Sequence, residues 1–310
     1  MELKYDILNY IASVKMSAKK RILVEGRDDR SHIKNLLNST LKGHKVKVDT
    51  AENIKGDCAK TAKNNRAKIE KVHEITKKSA SHNNLHFLCD REFLKFEVTD
   101  QINDLMSEHE ADGNLNWTIG HSLENYFIKE DIVCKAYRFL CGSEYKDDAV
   151  AQYKRVFYSA LKLIATVTLA AKSIEKCSYP AGTISWKDFT IKGGGLVFDI
   201  EQWKSNKDNQ IASDFYDEYK KYLPIVENSN VLICSRICRG HTAMLLLQRT
   251  FAACLNDVAS EDSEELAAKC AADFSRIKEP ALASALSESW LQGVDSGEAI
   301  YPAALVNSVA

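Results

Sequence analysis

Arg21-Ile22-Leu23-Val24-Glu25-Gly26-Arg27-Asp28-Asp29 is the stretch that decides how the rest of the chain reads. An apolar run suited to a strand stops at a carboxylate followed by glycine, a residue at which backbone can bend sharply. Glu25 therefore falls at the carboxyl end of a strand. In open α/β sheets, ligands and metals gather in the crevice beyond such ends. A second run, Leu85-His86-Phe87-Leu88-Cys89-Asp90-Arg91-Glu92, has the same design, apolar until it meets an acid. Two strands delivering Glu25 and Asp90 to one edge would build a magnesium site.

Outward from these runs, Ile7, Leu8, Ile11 and Val14 recur at helical spacing and predict an amphipathic helix over residues 5 to 19. Residues 31 to 41 predict a second helix, 45 to 48 a short strand, and 54 to 78 a lysine-rich helix with one packed stripe. Residues 114 to 119 alternate as a fourth strand leading into Glu124. Strands separated by helices imply an α/β fold, a mostly parallel sheet flanked by helices. Beyond Ile128 the texture turns helical, over 130 to 141 and 144 to 176. Residues 180 to 206, with Gly193-Gly194-Gly195, read as a loop-rich connection, and 209 to 223 as a helix ended by Pro224. Residues 231 to 235 read as a buried strand returning to the sheet, 242 to 256 as an apolar helix, and 263 to 277 as an alanine-rich helix before a weaker C-terminal arm. The expected division is a metal-binding domain over 1 to 135 and a largely α-helical extension over 136 to 310, serving dimerisation or partner binding.

With 310 residues the chain can bury a large core, so neither disulfides nor metal are needed merely to fold it. Lys and Arg number 42 against 43 Asp and Glu, a balance that argues against a generic polyanion binder while leaving room for local patches. The nine cysteines are odd in number and several sit inside apolar runs. Without a signal peptide, that usage predicts a reducing, cytoplasmic setting. No uninterrupted apolar stretch approaches the ~20 residues that cross a bilayer, so no membrane association is expected.

Glu25, Asp90 and Glu124 are oxygen donors of the kind that a hard Mg²⁺ or Mn²⁺ prefers. Brought together, such acids repel and raise one another's pKa unless a cation sits between them. A metal held there would polarise a phosphodiester and activate the attacking water. Glu92, two residues beyond Asp90 on the same face of an extended segment, is a candidate for a second ion or a water-mediated contact. Taken singly, Asp28, Asp29 and Asp90 read equally well as helix caps, and Glu124 as packing at a helix start.

In Cys238-Arg239-Gly240-His241, Arg239 and His241 at the start of an apolar helix would hold a phosphate; a plain glycine turn explains the segment as well. Cys234-x₃-Cys238-x₂-His241 offers three zinc ligands with no fourth nearby. Lys55, Lys60, Lys63, Arg66 and Lys68 form a basic run that either grips a nucleic-acid backbone, with Lys60 a phosphate ligand, or is a solvated face. The glycine triplet lacks the lysine of a phosphate-binding P-loop. RNA specificity would need aromatic stacking, for which Tyr126, Trp186 and Trp203 are available but unassigned.

The strand ending in Val-Glu-Gly with Asp29 close behind, the strand ending in Asp90-Arg91-Glu92, and Ser122-Leu123-Glu124-Asn125-Tyr126 resemble, in order and spacing, the motifs of TOPRIM/OLD-like nucleases. Within that family they are most similar to the AriB-type effectors of PARIS anti-phage systems, encoded beside AAA ATPases. All three motifs fall within the first ~135 residues, less than half of the chain. It implies a TOPRIM-like fold and a Mg²⁺-dependent nuclease with Glu25, Asp90, Glu124 and Asp29 at its catalytic centre. It further implies a toxic abortive-infection effector that cleaves tRNA, is held in check by an AAA/ABC-type ATPase and is a homodimer when active. Asp-x-Glu departs from the commoner Asp-x-Asp, and His241 stands where the related Arg-Gly-Lys segment has lysine. An OLD-type DNA nuclease or nickase, and a non-catalytic adaptor keeping a TOPRIM shell, are the alternatives.

Overall fold

The structure, a computed structural model, describes residues 5–42, 45–106 and 108–310. The chain is mixed α/β and 61% helical. It forms two units: residues 1–91, 106–123 and 291–310 make the first, and 92–105 with 124–290 the second. The single boundary expected near residue 135 is thus replaced by an interleaved division, because the last twenty or so residues belong with the sheet.

In the first unit the two apolar runs are adjacent parallel strands, Arg21–Val24 and Leu85–Cys89, every residue of which is buried. The five-stranded sheet runs Lys47–Thr50, Arg21–Val24, Leu85–Cys89, Leu115–Trp117, Ala111–Asp112, and only the last strand is antiparallel to its neighbour. Runs this apolar without alternation are what a strand buried on both faces requires. Leu23, Leu85, Phe87 and Leu115 face one side and pack on Ile7, Tyr10 and Val14 of the helix Ile7–Lys15 and on Ile69 and Val72 of Asn65–Thr76. His86 points the opposite way, as the period of two demands, and its Nδ1 meets the Ser308 hydroxyl at 3.0 Å on the helix Ala303–Val309.

The helix after Glu25 begins at Arg27 rather than near Ser31, so the acidic turn lies inside its first turn, where Asp28 and Asp29 favour the positive end of the dipole. Gly26, its N-cap, has φ −122°, an extended conformation open to any residue. The 54 to 78 segment breaks into a short strand Ile54–Lys55 and helices Ala59–Lys63 and Asn65–Thr76, the second capped by the Asn64 side chain, which accepts the Ala67 N–H at 2.9 Å. Gly56 is the glycine this turn cannot spare. A Cβ there would lie 2.3 Å from the Thr61 carbonyl carbon and 2.4 Å from the Ala62 nitrogen, both backbone atoms. Gly56→Ala is expected to cost about 1–3 kcal/mol, read as a lower urea midpoint at unchanged slope.

The second unit is helical around Lys146–Ser173. By length and composition this helix is apolar enough to cross a bilayer, although polar residues interrupt it, and 72% of its most apolar window is buried within the protein, as in a core helix. Its Tyr153 clusters with Tyr137, Phe251 and Phe274 through edge-to-face and tilted ring contacts, the closest centroids being 4.6 Å apart. The expected strand at 231 to 235 is instead the helix Val231–Ile237. The Asn230 side chain caps it by accepting the Leu232 N–H at 2.8 Å, and a short apolar run suits either structure. Nor does Pro224 end its helix, which runs Gln210–Glu227; the proline falls in the last turn, with Tyr219 and Val226 anchored in the core on either side of it. The 180 to 206 connection is more ordered than expected, holding a hairpin, Phe189–Lys192 with Gly195–Phe198, and a helix Ile200–Ser205. Gly193 (φ +58°) and Gly194 (φ +78°) supply its tight turn, which explains the triplet without any ligand. The arm beyond 277 is also helical, over Glu279–Asp295 and Ala303–Val309.

Candidate functional site

Parallel pairing of Arg21 with Leu85 and Leu23 with Phe87, carried forward, sets Glu25 beside the end of the next strand. The contact is direct: Glu25 Oε1 accepts the Asp90 N–H at 3.0 Å. Asp90 Oδ1 in turn accepts the Leu123 N–H at 3.1 Å, so a backbone donor orients each carboxylate. Cys89, which ends the strand just before Asp90, is fully buried. Burial pushes its thiol well above the usual range, and the neighbouring carboxylates of Glu25, Glu70 and Asp90 push further, with Arg66 opposing. The thiol is therefore an inert core group.

Glu70 and Arg66 are the residues that sequence reading missed in this role. Arg66 Nε donates to Glu70 Oε1 at 3.0 Å, and its guanidinium stands 4.8 Å from the centre of the Trp117 ring, at the end of the neighbouring strand. Their i, i+4 spacing was the available signal.

The other candidates divide. Asp29 Oδ2 accepts the Gly26 N–H at 2.8 Å, the reciprocal arm of a capping box, so the bland reading accounts for its position. Glu92 does not continue an extended segment: it has φ +50° in a turn over 92 to 95, and the alternation that set it beside Asp90 does not apply. Both Glu92 and Glu124 belong to the second unit. Glu124 is half-buried in the short 3-10 turn Leu123–Phe127. Its neighbour Asn125 donates through Nδ2 to the carbonyls of Ser235 (2.7 Å) and Cys238 (2.9 Å), closing the end of Val231–Ile237. Tyr126 and Phe127 pack on Trp290, with ring centroids 5.9 and 5.2 Å away. Asn125 and Tyr126 of the Ser-Leu-Glu-Asn-Tyr segment thus hold the helical unit together.

Arg239 and His241 are engaged locally. Arg239 Nη1 donates to the Cys177 carbonyl and the Thr242 hydroxyl, each at 3.4 Å, and His241 Nδ1 pairs with Glu279. Cys234 and Cys238 are buried; burial pushes the Cys234 thiol up to about 11 and Cys238 well above its ordinary value. The Cys238 thiol donates to the Cys234 carbonyl at 3.0 Å, the behaviour of protonated core groups and not of zinc thiolates. Of the basic run, Lys60 is exposed on Ala59–Lys63, whereas Lys68 is buried, its ammonium donating to the Ala51 carbonyl at 3.0 Å and Asn65 Oδ1 at 2.9 Å. Trp203 and Tyr126 are buried and Trp186 is partly covered, so stacking on Trp203 or Tyr126 would require them to leave the core.

Among the described residues, no group of three or more His, Cys, Asp or Glu side chains is gathered as a metal cage. What the first unit brings together is a pair, Glu25 and Asp90. Mg²⁺ commonly takes just one or two carboxylates and completes its shell with water and substrate phosphate. A carboxylate offers about four lone-pair directions, so a backbone N–H does not prevent it from acting as a ligand. The donor set therefore fits a hard divalent cation. A scan against protein-family models finds no match for the chain, and a search of curated proteins finds no relative.

Proposed function

We propose that the chain is a TOPRIM-like, Mg²⁺- or Mn²⁺-dependent phosphodiesterase whose centre is the Glu25–Asp90 pair. The observation that carries this reading is the arrival of Glu25 and Asp90 at the carboxyl ends of adjacent parallel strands, tied by the 3.0 Å hydrogen bond from the Asp90 backbone N–H to the Glu25 carboxylate. Acids delivered to one strand edge repel each other, and a cation between them relieves that repulsion. When bound there, the metal supplies Lewis-acid polarisation of a phosphoryl oxygen and a more acidic water. Glu25 and Asp90 would hold it, with the Leu123 N–H fixing the Asp90 carboxylate.

The resemblance of the three motifs extends the proposal: an intracellular toxic effector of an abortive-infection system, cleaving tRNA as a homodimer when an AAA-type ATPase releases it. Glu124 and Asp29 enter the catalytic set on that resemblance alone. The test is to incubate the purified chain with Mg²⁺ or Mn²⁺ and, separately, total RNA and supercoiled plasmid. Cleaved tRNA with intact plasmid is the expected result. Nicked plasmid with intact RNA would point to an OLD-type DNA nuclease, and both substrates intact in either metal would sink the enzymatic reading.

A further inference from the structure

One face of the sheet unit is strongly cationic although the chain as a whole carries a formal charge of −1. Arg27, Arg30 and Lys34 recur at i, i+3 and i+7 along the helix Arg27–Thr40, so they form one stripe, and with Ser31 they line one depression. A second depression adjoins it through Arg30 and Lys34 and adds Lys19, Lys45 and Lys47. A third, a cavity of about 450 Å³, adjoins both through Arg30 and is lined by Arg21, Asp49, Thr50 and the rings of Tyr5 and Tyr10 among others.

Among the described residues lining the three depressions the one acid is Asp49, and it and Glu52, beside Arg27, are both paired. Asp49 pairs with Arg21 and Lys47, each at 3.1 Å, and Glu52 pairs with Arg27 at 3.4 Å. Among the described residues, Lys19, Arg30, Lys34 and Lys45 have no carboxylate within ion-pair distance. Residues that line the cavity also carry buried donors: Arg21 Nε, Arg30 Nε and Thr50 Oγ1 have no hydrogen-bond partner among the described residues. Arg21 is only 8% exposed and Thr50 2%. Buried polar groups left this way are uncommon, and a cluster of them in a cationic cavity is suited to an anion.

We infer that this face docks the phosphodiester backbone of an unpaired nucleic-acid segment, with one phosphate held by Arg21, Arg30 and Thr50 in the cavity. The stripe from Arg27 to Lys34 spans about 10 Å of helix, longer than a single phosphate and suited to successive ones. Tyr5, exposed at the cavity rim, adds a ring on which a base can stack. An acidic peptide would use the charges and leave that ring idle. As the substrate-holding surface of a nuclease the assignment rests on the function proposed above; as a binding surface it needs no catalysis.

The test is fluorescence anisotropy of a labelled single-stranded RNA with the full chain in EDTA, over a range of salt, for the unaltered protein, Arg30→Glu/Lys34→Glu, and Lys34→Glu/Lys45→Glu. The last pair changes exposed side chains only and guards against misfolding. Both variants should bind at least tenfold more weakly, with a log–log salt slope shallower by about 1.4, near 0.7 for each phosphate that is no longer neutralised. Inorganic phosphate should compete only at millimolar levels, as one phosphate competes with many. Unchanged affinity in both variants would overturn the assignment. So would polyglutamate displacing the RNA at equal charge concentration, which would assign the face to an acidic protein, or phosphate displacing it at micromolar levels, which would assign it to a small anion. Glu25→Gln, run alongside, separates the two proposals: binding retained with no cleavage by any form in Mg²⁺ leaves this surface standing and removes the nuclease.

Discussion

Glu25→Gln is expected to lower phosphodiester cleavage by about 10²–10⁴-fold, the usual effect of losing a group that holds a metal or moves a proton at the reacting centre. The substitution is nearly isosteric. Its amide oxygen can still accept the Asp90 N–H that Glu25 Oε1 accepts at 3.0 Å, so the strand ends keep their relation and the fold is preserved. What the amide cannot do is carry negative charge. Titration calorimetry should show Mn²⁺ affinity falling with activity, while circular dichroism melts of the two proteins superimpose. A Glu25→Gln protein that cleaves as fast as the unaltered chain would take the site away from this sheet edge.

Arg91→Met is expected to destabilise the sheet unit by about 3 kcal/mol. Arg91 is fully buried, and its Nη1 donates to the Ile119 carbonyl at 2.8 Å. Its backbone N–H donates to the Thr118 hydroxyl at 2.9 Å, which itself donates to the Gly120 carbonyl at 2.8 Å. Together these bonds clamp the exit of the Leu85–Cys89 strand to the exit of Leu115–Trp117. Methionine fills most of the volume but leaves the Ile119 carbonyl without that donor in the interior. Lysine is no substitute, having a compact ammonium in place of a planar fork. Urea denaturation gives the magnitude; a loss below about 0.5 kcal/mol would mean that the clamp is ornamental. Asp90 is the adjacent residue, so activity should fall with stability at temperatures where the native state still dominates.

The parallel core was legible because its signals are local. Arg21–Val24 and Leu85–Cys89 are short apolar runs bounded by acids, and parallel pairing then brings both acids to one edge, where the structure has Glu25 and Asp90 in contact. Less local features escaped. Val231-Leu232-Ile233-Cys234 is equally apolar as strand or helix, and the Asn230 cap decides for helix. Glu92 follows a strand, but its positive φ takes the chain out of the extended geometry on which its assignment depended. Asn125 reads as part of a catalytic motif, whereas its amide is spent on carbonyls more than a hundred residues away in sequence. The cationic face draws on three separate segments, and only the 27, 30, 34 spacing is visible in the sequence itself.

The sheet unit is built from the beginning, the middle and the very last stretch of the chain, with Ala303–Val309 laid on the Leu85–Cys89 strand through Ser308 and His86. A ribosome makes residues in order at about 5–20 per second, and a unit cannot close before all its parts have been synthesised. Strand Leu85–Cys89 must wait some two hundred residues for its cover. During that interval the His86 side of the strand lacks the helix that covers it, so the half-made polypeptide is expected to leave apolar surface open to solvent there until Ala303–Val309 has been added.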